Sequence, residues 1–422
     1  MNHSVRRLQH NFSGLQARST AAPLKSVNSF LIFLALVAGV AHVEPRIGTP
    51  ALVLLALVTF YGTLHTVPDT LSRHWPWILG LFALAAVHIG AGVIQGAPLQ
   101  YFDTPIRPIL AALIFFYLAR TGFHEQWVWA AIGLTALIGA SIGFYEVLGQ
   151  GASRASAGRN PNIYGPMMAM LTLLATWRAV KTDVVLERWF LGFCASLALL
   201  GALLSGSRGA WLVLLVLVPY MFWQYPARRL RRSASLVLIA LAGISLWIGQ
   251  DQVGNRLDGS LSELRSIASG ELSGNLGTRL QMWHVGLHLA ADRPLAGVGV
   301  DYQNRIESAR PILKEFGYPA RIIEDYGQLH NWYLDQMVKY GVLGVFAVAL
   351  FLYGAAARLN PETRVPCVLV AGAVGISGLF DAQMEGGRFF WFTLLLLCVF
   401  RVIAERSGAS SRGRNGSRQF GH

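Results

Sequence analysis

The 422-residue chain is 54% hydrophobic and only 14% charged, with formal net charge +13 and mean hydropathy +0.45. Soluble domains carry roughly 25% charged residues, so an ordinary soluble enzyme is excluded, and the positive charge is assigned to membrane loops rather than to a nucleic-acid partner. The three cysteines, Cys194, Cys367 and Cys398, all fall inside apolar runs, which excludes a disulfide framework or a CxxC metal site.

Residues 1–26 are basic and polar and form a tail. Apolar runs follow near 27–43, 47–65, 76–95, 105–120, 127–148, 161–178, 189–204, 209–225 and 234–250. A long amphipathic segment, 251–329, interrupts them, and three more runs lie near 330–354, 365–381 and 388–404. Runs of about 20 apolar residues predict transmembrane helices, the form that satisfies every backbone group in lipid without closing a barrel. The expectation is an all-α integral membrane protein with about twelve spans. They divide into a block of nine at 27–250 and a block of three at 330–404, with a polar tail at 405–422.

Arginine and lysine set the orientation. One set of loops and tails holds 20 of them and the short loops of the other set hold 6. Positive residues stay inside, so both termini are expected in the cytoplasm of a bacterial inner-membrane protein. The nearly neutral segment 251–329 then lies on the periplasmic side. TRLQMWHVGLHLAADRPLAGVG within it predicts a helix ended by proline and glycines. A second helix is expected over 302–316. Together they predict a small helical cap between spans 9 and 10.

Topology gives no reason for arginines on the outer face. Arg208, in GSRGAW, sits in a tight outer turn where a helix begins, and a guanidinium beside helix N–H groups suits phosphate. The plainer alternative is an arginine snorkelling to lipid headgroups. Arg279, in GTRLQMW, falls in the first turn of the expected cap helix, a disfavoured place for a cation. Arg154 and Arg159 occupy a Gly/Ser-rich outer loop that ends in Asn160–Pro161, an N-cap and first-turn pair.

His330 starts the tenth span from the outer side and is a candidate general base, with Asn331, Tyr333 and Asp335 as possible orienting groups. Asp381 lies near the end of an apolar span, where a carboxylate needs a partner, and Arg388 is the candidate. Trp283, Trp332 and Tyr333 fit either sugar stacking or an interfacial aromatic belt. His284 and His288 have a zinc-compatible spacing, but no third ligand is evident, and no DxD cluster stands in an outer loop. No metal or other cofactor is expected.

The ordered set GSRG (Gly206–Gly209), G-T-R…W…P-L-A-G-V-G (Gly277–Gly299) and H-N-x-x-L followed by YGVLG (His330–Gly344) resembles the bacterial O-antigen ligase/polymerase superfamily, most closely its ligases. The topology match spans nearly the whole chain and the motif match its second half. The resemblance implies a GT-C-like, metal-independent, inverting membrane glycosyltransferase working at the periplasmic face. Its donor would be O-antigen glycan on undecaprenyl diphosphate, and its acceptor lipid A–core. His330, Arg208 and Arg279 would be the catalytic residues. Arg159, Arg154, Asn331, Tyr333, Trp283, Asp381 and Arg388 are the candidates for substrate contact.

An O-antigen polymerase shares the donor and the topology, so these motifs barely separate the two. A lipid-linked glycan transporter would instead place charges near the midplane in repeated halves. Convergence of Arg208, Arg279 and His330 on one outer cavity is the feature that favours an enzyme.

Overall fold

The computed structural model describes residues 24–38, 67–158, 160–224, 243, 247, 250–272, 274–324, 327–385 and 387–416. Among these residues the chain is helical, with turns between helices and no strand. The first helices are α1 (Leu24–Ala38), α2 (Val67–Ile94), α3 (Arg107–Thr121) and α4 (Glu125–Phe144), the last extended by a π turn at Tyr145–Gly149. Then come α5 (Pro161–Lys181), α6 (Val185–Leu204) and α7 (Arg208–Trp223). The amphipathic segment supplies α8 (Gln250–Ala268), α9 (Gly274–Asp292), α10 (Tyr302–Glu315) and the single turn α11 (Arg321–Glu324). The chain closes with α12 (Trp332–Ala356), α13 (Val365–Ser377) and α14 (Gly387–Gly416).

Among the described residues five stretches are long and apolar enough to cross a membrane: Leu71–Ile94, Leu99–Thr121, Glu125–Gly149, Val185–Leu204 and Trp332–Ala356. α1, α7 and α13 are shorter apolar helices. This is a multi-pass membrane protein. The expected span at 47–65 and nearly all of that at 234–250 lie outside the described residues. α13 stops at Ser377, short of the expected 381, because Gly378 caps it and the chain turns.

Local sequence explains where helices start. Asn160 accepts from the Asn162 N–H at 2.9 Å and Pro161 opens α5. Asn331 caps α12 by accepting from the Leu334 N–H at 3.1 Å. Glycine then sets how closely helices approach. A Cβ at Gly80 would stand 2.7 Å from the Leu350 carbonyl oxygen, and one at Gly354 would stand 2.4 Å from that of Pro76. α2 and α12 therefore pack backbone to backbone, the contact that small residues permit between apolar helices.

Successive reversals give the bundle two chemically different ends. At one, Arg178 pairs with Glu125 and Glu187, and Arg73 with Glu405. There the buried Arg401 donates to the carbonyls that close α12, Gly354 at 2.7 Å and Ala355 at 3.1 Å. Cations at helix C-termini satisfy the orphan carbonyls. The opposite end carries the 150–160, 205–208 and 378–385 turns and helices α8–α11. Met282, Val285 and Leu289 of α9 and Ile306, Ala309 and Leu313 of α10 form a separate small core there. Their three- and four-residue spacing is the amphipathic signature of the sequence.

A strap joins this small core to the bundle. α12 is kinked at Gly341, which has φ 65° and ψ −157°. The kink frees backbone groups, and the PLAGVG segment takes them. The Val342 N–H donates to Pro294 O at 2.8 Å, and the Val298 N–H donates to Val338 O at 2.7 Å. A Cβ at Gly341 would stand 2.3 Å from the Leu295 carbonyl, and one at Gly297 would stand 2.5 Å from the carbonyl carbon of Lys339. Backbone of this hand belongs almost solely to glycine and costs other residues about 1–3 kcal/mol. Gly341→Ala is therefore expected to lower the thermal unfolding midpoint of the detergent-purified protein clearly. Gly90→Ala, where an added methyl meets nothing within 4 Å, is the control and is expected to be near neutral. Equal midpoints for the two would refute the strap.

Candidate functional site

His330 lies between two residues whose backbones are fixed. The Leu329 N–H donates to Asp335 Oδ1 at 2.9 Å, and the Leu329 carbonyl accepts from the Trp283 indole at 3.0 Å. The Trp332 N–H donates to the Gly378 carbonyl at 2.7 Å. His330 itself takes φ 49°, a left-handed conformation that few non-glycine residues adopt. Neighbours that over-determine such a residue are characteristic of functional sites. Asp335, at the base of this arrangement, is buried and paired with Lys339 at 2.9 Å.

The His330 imidazole is tucked in, 13% exposed, with Nδ1 3.2 Å from Asp381 Oδ1. In the neutral ring, an Nδ1–H donated to this carboxylate leaves the lone pair on Nε2. Asp381 Oδ1 also accepts from Gln328 Nε2 at 3.1 Å and from the Ala382 N–H at 2.9 Å. Its Oδ2 is buried and has no hydrogen-bond partner among the described residues. The sequence suggested Arg388 as the partner of Asp381. The described partners are His330 and Gln328, and the side chain of Arg388 lies outside the described residues.

Arg208 opens α7, and its Nη2 donates to Glu263 Oε2 of α8 at 2.7 Å. Glu263 Oε1 also accepts from the Asn275 N–H, at 3.3 Å, so one carboxylate joins α7 to the start of α9. Arg279 is partly buried on α9. It falls in the second turn rather than the first, because α9 begins at Gly274, three residues before the glycine expected to open it. Arg154 donates through Nε to the Ser205 carbonyl at 2.7 Å and through Nη2 to Asn162 Oδ1 at 3.3 Å. Arg159 lies outside the described residues.

No motif announced the anchor of the 151–160 loop. The π turn sets Glu146 under that loop, where its carboxylate accepts from the backbone N–H groups of Ser156 at 2.6 Å, Ala157 at 2.8 Å and Gly158. The turns are further stitched together. Gln383 donates to the Asn162 carbonyl and accepts from Ser377 Oγ at 2.9 Å. Phe380 lies against Gly209, within 3.6 Å of where a Cβ would be. Arg154, Arg208 and the His330–Asp381 pair thus stand on three interlocked turns at one end of the bundle. A 310 Å³ cavity lies beside them but is lined by other residues.

The remaining candidates hold this end together. Trp283 anchors Leu329, Asn331 caps α12, and the Tyr333 hydroxyl donates to the Gly375 carbonyl at 2.7 Å. His284 Nδ1 is 3.1 Å from the Tyr318 hydroxyl and its Nε2 is 3.3 Å from that of His288.

Residues 193–349 match the family model described as O-antigen ligase. That stretch is thus similar to the O-antigen ligase/polymerase superfamily. The matched stretch runs from α6 into α12 and contains Arg208, Arg279 and His330; Arg154 and Asp381 fall outside it. The matched family implies a membrane glycosyltransferase-like enzyme of the ligase/polymerase type. The chain is also 24% identical over 331 residues to an uncharacterized protein of Haemophilus influenzae, covering 73% of this chain and 81% of that one.

Proposed function

We propose that this protein belongs to the O-antigen ligase/polymerase superfamily and is an O-antigen ligase. It would transfer glycan from undecaprenyl diphosphate to lipid A–core at the periplasmic face of the bacterial inner membrane, with both termini in the cytoplasm. Residues 251–329 would form the cap, between membrane blocks 27–250 and 330–404. The observation that carries the reading is the His330–Asp381 pair, set on turns interlocked with those of Arg208 and Arg154.

The chemistry follows from the groups present. An acceptor hydroxyl is a poor nucleophile until a base takes its proton. His330 Nε2 carries the lone pair for this, because Nδ1–H is engaged by Asp381. The acceptor oxygen attacks the anomeric carbon opposite the diphosphate, and the glycosidic C–O bond to phosphate breaks. The diphosphate leaves with the electron pair, so configuration inverts. Arg208 and Arg279, supported by Arg154 and Arg159, stabilise the charge that develops on it. Guanidinium does not titrate and its fork fits phosphate oxygens, so it serves where other transferases use a metal. Arg208 is paired with Glu263 at 2.7 Å, and the diphosphate would replace that carboxylate as its anion.

Purified protein mixed with undecaprenyl-diphosphate glycan and lipid A–core, with and without EDTA, tests this. Glycan-capped lipid A–core formed in EDTA is the expected product. A longer lipid-linked glycan with no use of lipid A–core would make the protein the polymerase instead. Asp381 should act by positioning the imidazole. Asp381→Asn is expected to lower kcat by at least about tenfold and as much as the ~10⁴ seen when a histidine-orienting aspartate is lost in a hydrolase triad. KM for the donor and the unfolding midpoint should stay near wild type. An unchanged kcat would reduce Asp381 to a helix-end anchor.

A further inference from the structure

The 310 Å³ cavity lies between α2, α12 and α10, and its lining includes Trp332 and Tyr340 of the His330–Gly344 motif but none of Arg208, Arg279 and His330. It is at the small end of the range for ligand pockets. Its chemistry is specific. Two cations, Arg305 and Lys339, face it, Lys339 already paired with the buried Asp335 at 2.9 Å, and Trp332, Tyr340, Tyr101 and His88 form much of the wall. Cations beside aromatic faces and hydroxyls are what a sugar carrying an anionic group requires. The Arg305 guanidinium takes the anion, and ring faces take the apolar side of the sugar.

The wall is also preorganised. His88 stacks on Tyr340 with ring centroids 4.3 Å apart. The Tyr101 hydroxyl lies 2.9 Å from the Tyr340 hydroxyl and donates to the His88 carbonyl at 3.0 Å. His88 Nε2 lies 2.8 Å from Gln336 Oε1, which only accepts, so His88 Nδ1 holds a lone pair suited to a sugar hydroxyl. Gln336 Nε2 is buried without a partner among the described residues. Such a polar network on membrane-spanning helices is costly unless it serves a function.

Its position ties it to the transfer site. Gly327 and Trp332, which flank His330, line it, and so does Met384, three residues beyond Asp381. Arg305 of α10 reaches the Gly327 carbonyl at 3.4 Å, so the helical segment closes over this side. We propose that the cavity is a second substrate site that binds a sugar bearing a phosphate or carboxylate, and, resting on the transferase reading above, that this sugar belongs to the acceptor. Donor diphosphate and acceptor glycan would then be held by different sets of residues around the His330–Asp381 pair.

The test measures binding without turnover. Full-length protein in neutral-lipid nanodiscs is titrated with deacylated phosphorylated core oligosaccharide, the same glycan after phosphatase, inorganic phosphate, and undecaprenyl diphosphate. Arg305→Gln removes the cation, and Gln100→Trp, at an exposed lining position, obstructs the cavity. Both variants are expected to weaken binding of the phosphorylated glycan by about tenfold or more, the loss of one charge-assisted hydrogen bond, and to leave undecaprenyl diphosphate binding unchanged. Phosphatase treatment should weaken wild-type binding to a similar degree. Wild-type affinity in both variants overturns the proposal, as does equal binding of the dephosphorylated glycan. So does complete competition by phosphatidylglycerol or phosphate with no contribution from the sugar, which would make the cavity a headgroup site. Cavity-dependent glycan binding by a protein that transfers nothing would sustain the site and sink the transferase reading.

Discussion

Alanine at position 330 is expected to reduce glycosyl transfer by about 10²–10⁴-fold, the range that a positioned general base contributes. Besides the contact of its imidazole with Asp381, the turn at His330 is held by backbone bonds at Leu329 and Trp332, so it should survive the change. His330→Ala also relieves little of the φ 49° conformation, because alanine keeps a Cβ there. The loss should therefore appear in kcat, with donor binding and unfolding midpoint close to wild type. His330→Gln offers an amide nitrogen but no base and should be equally inactive. Near-normal turnover by a folded alanine variant would leave His330 a structural residue and transfer the base role elsewhere.

The second large effect belongs to Arg208. Loss of one preorganised donor to a developing oxyanion costs about 10²–10³ in turnover, and Arg208→Ala is expected to fall in that range. Arg208→Lys should recover only part of it, since an ammonium cannot present the planar fork that phosphate oxygens accept. Glu263→Gln separates the two roles of the contact seen here. If Glu263 stands in for the donor anion, this variant keeps turnover and binds undecaprenyl diphosphate at least as tightly as wild type. If the Arg208–Glu263 pair is instead a fixed strut between α7 and α8, Glu263→Gln will lose activity together with Arg208→Ala and will lower the unfolding midpoint as well.

Much of this organisation could be read along the chain. Asn160–Pro161 announced the start of α5 because a cap is a local device, made by a side chain and an N–H two residues on. Met282, Val285 and Leu289 announced the buried face of α9 because helical periodicity is local too. The RPLAGVG stretch was visible as a helix stop. That its glycines exist to let a strap cross the Gly341 kink was not, since the partner backbone lies some forty residues away. The same limit applies to Glu146, Glu263, Gln328 and Gln383: isolated polar residues with no motif, each meaningful only through a contact distant in sequence.

By itself the sequence determined a membrane protein of apolar helices with its arginines sorted by side, and it singled out His330, Arg208 and Asp381. Composition and hydropathy are sums over local residues, and a charge beside an apolar run stands out wherever the chain goes. Only the tertiary structure decided that Asp381 meets His330 and Gln328, that Arg208 is engaged by Glu263, and that an aromatic cavity holding Arg305 is lined by Trp332. Those pairings depend on which turns share one end of the bundle. Backbone contacts between helices fix that arrangement through glycines, residues that carry no side-chain signal of their own.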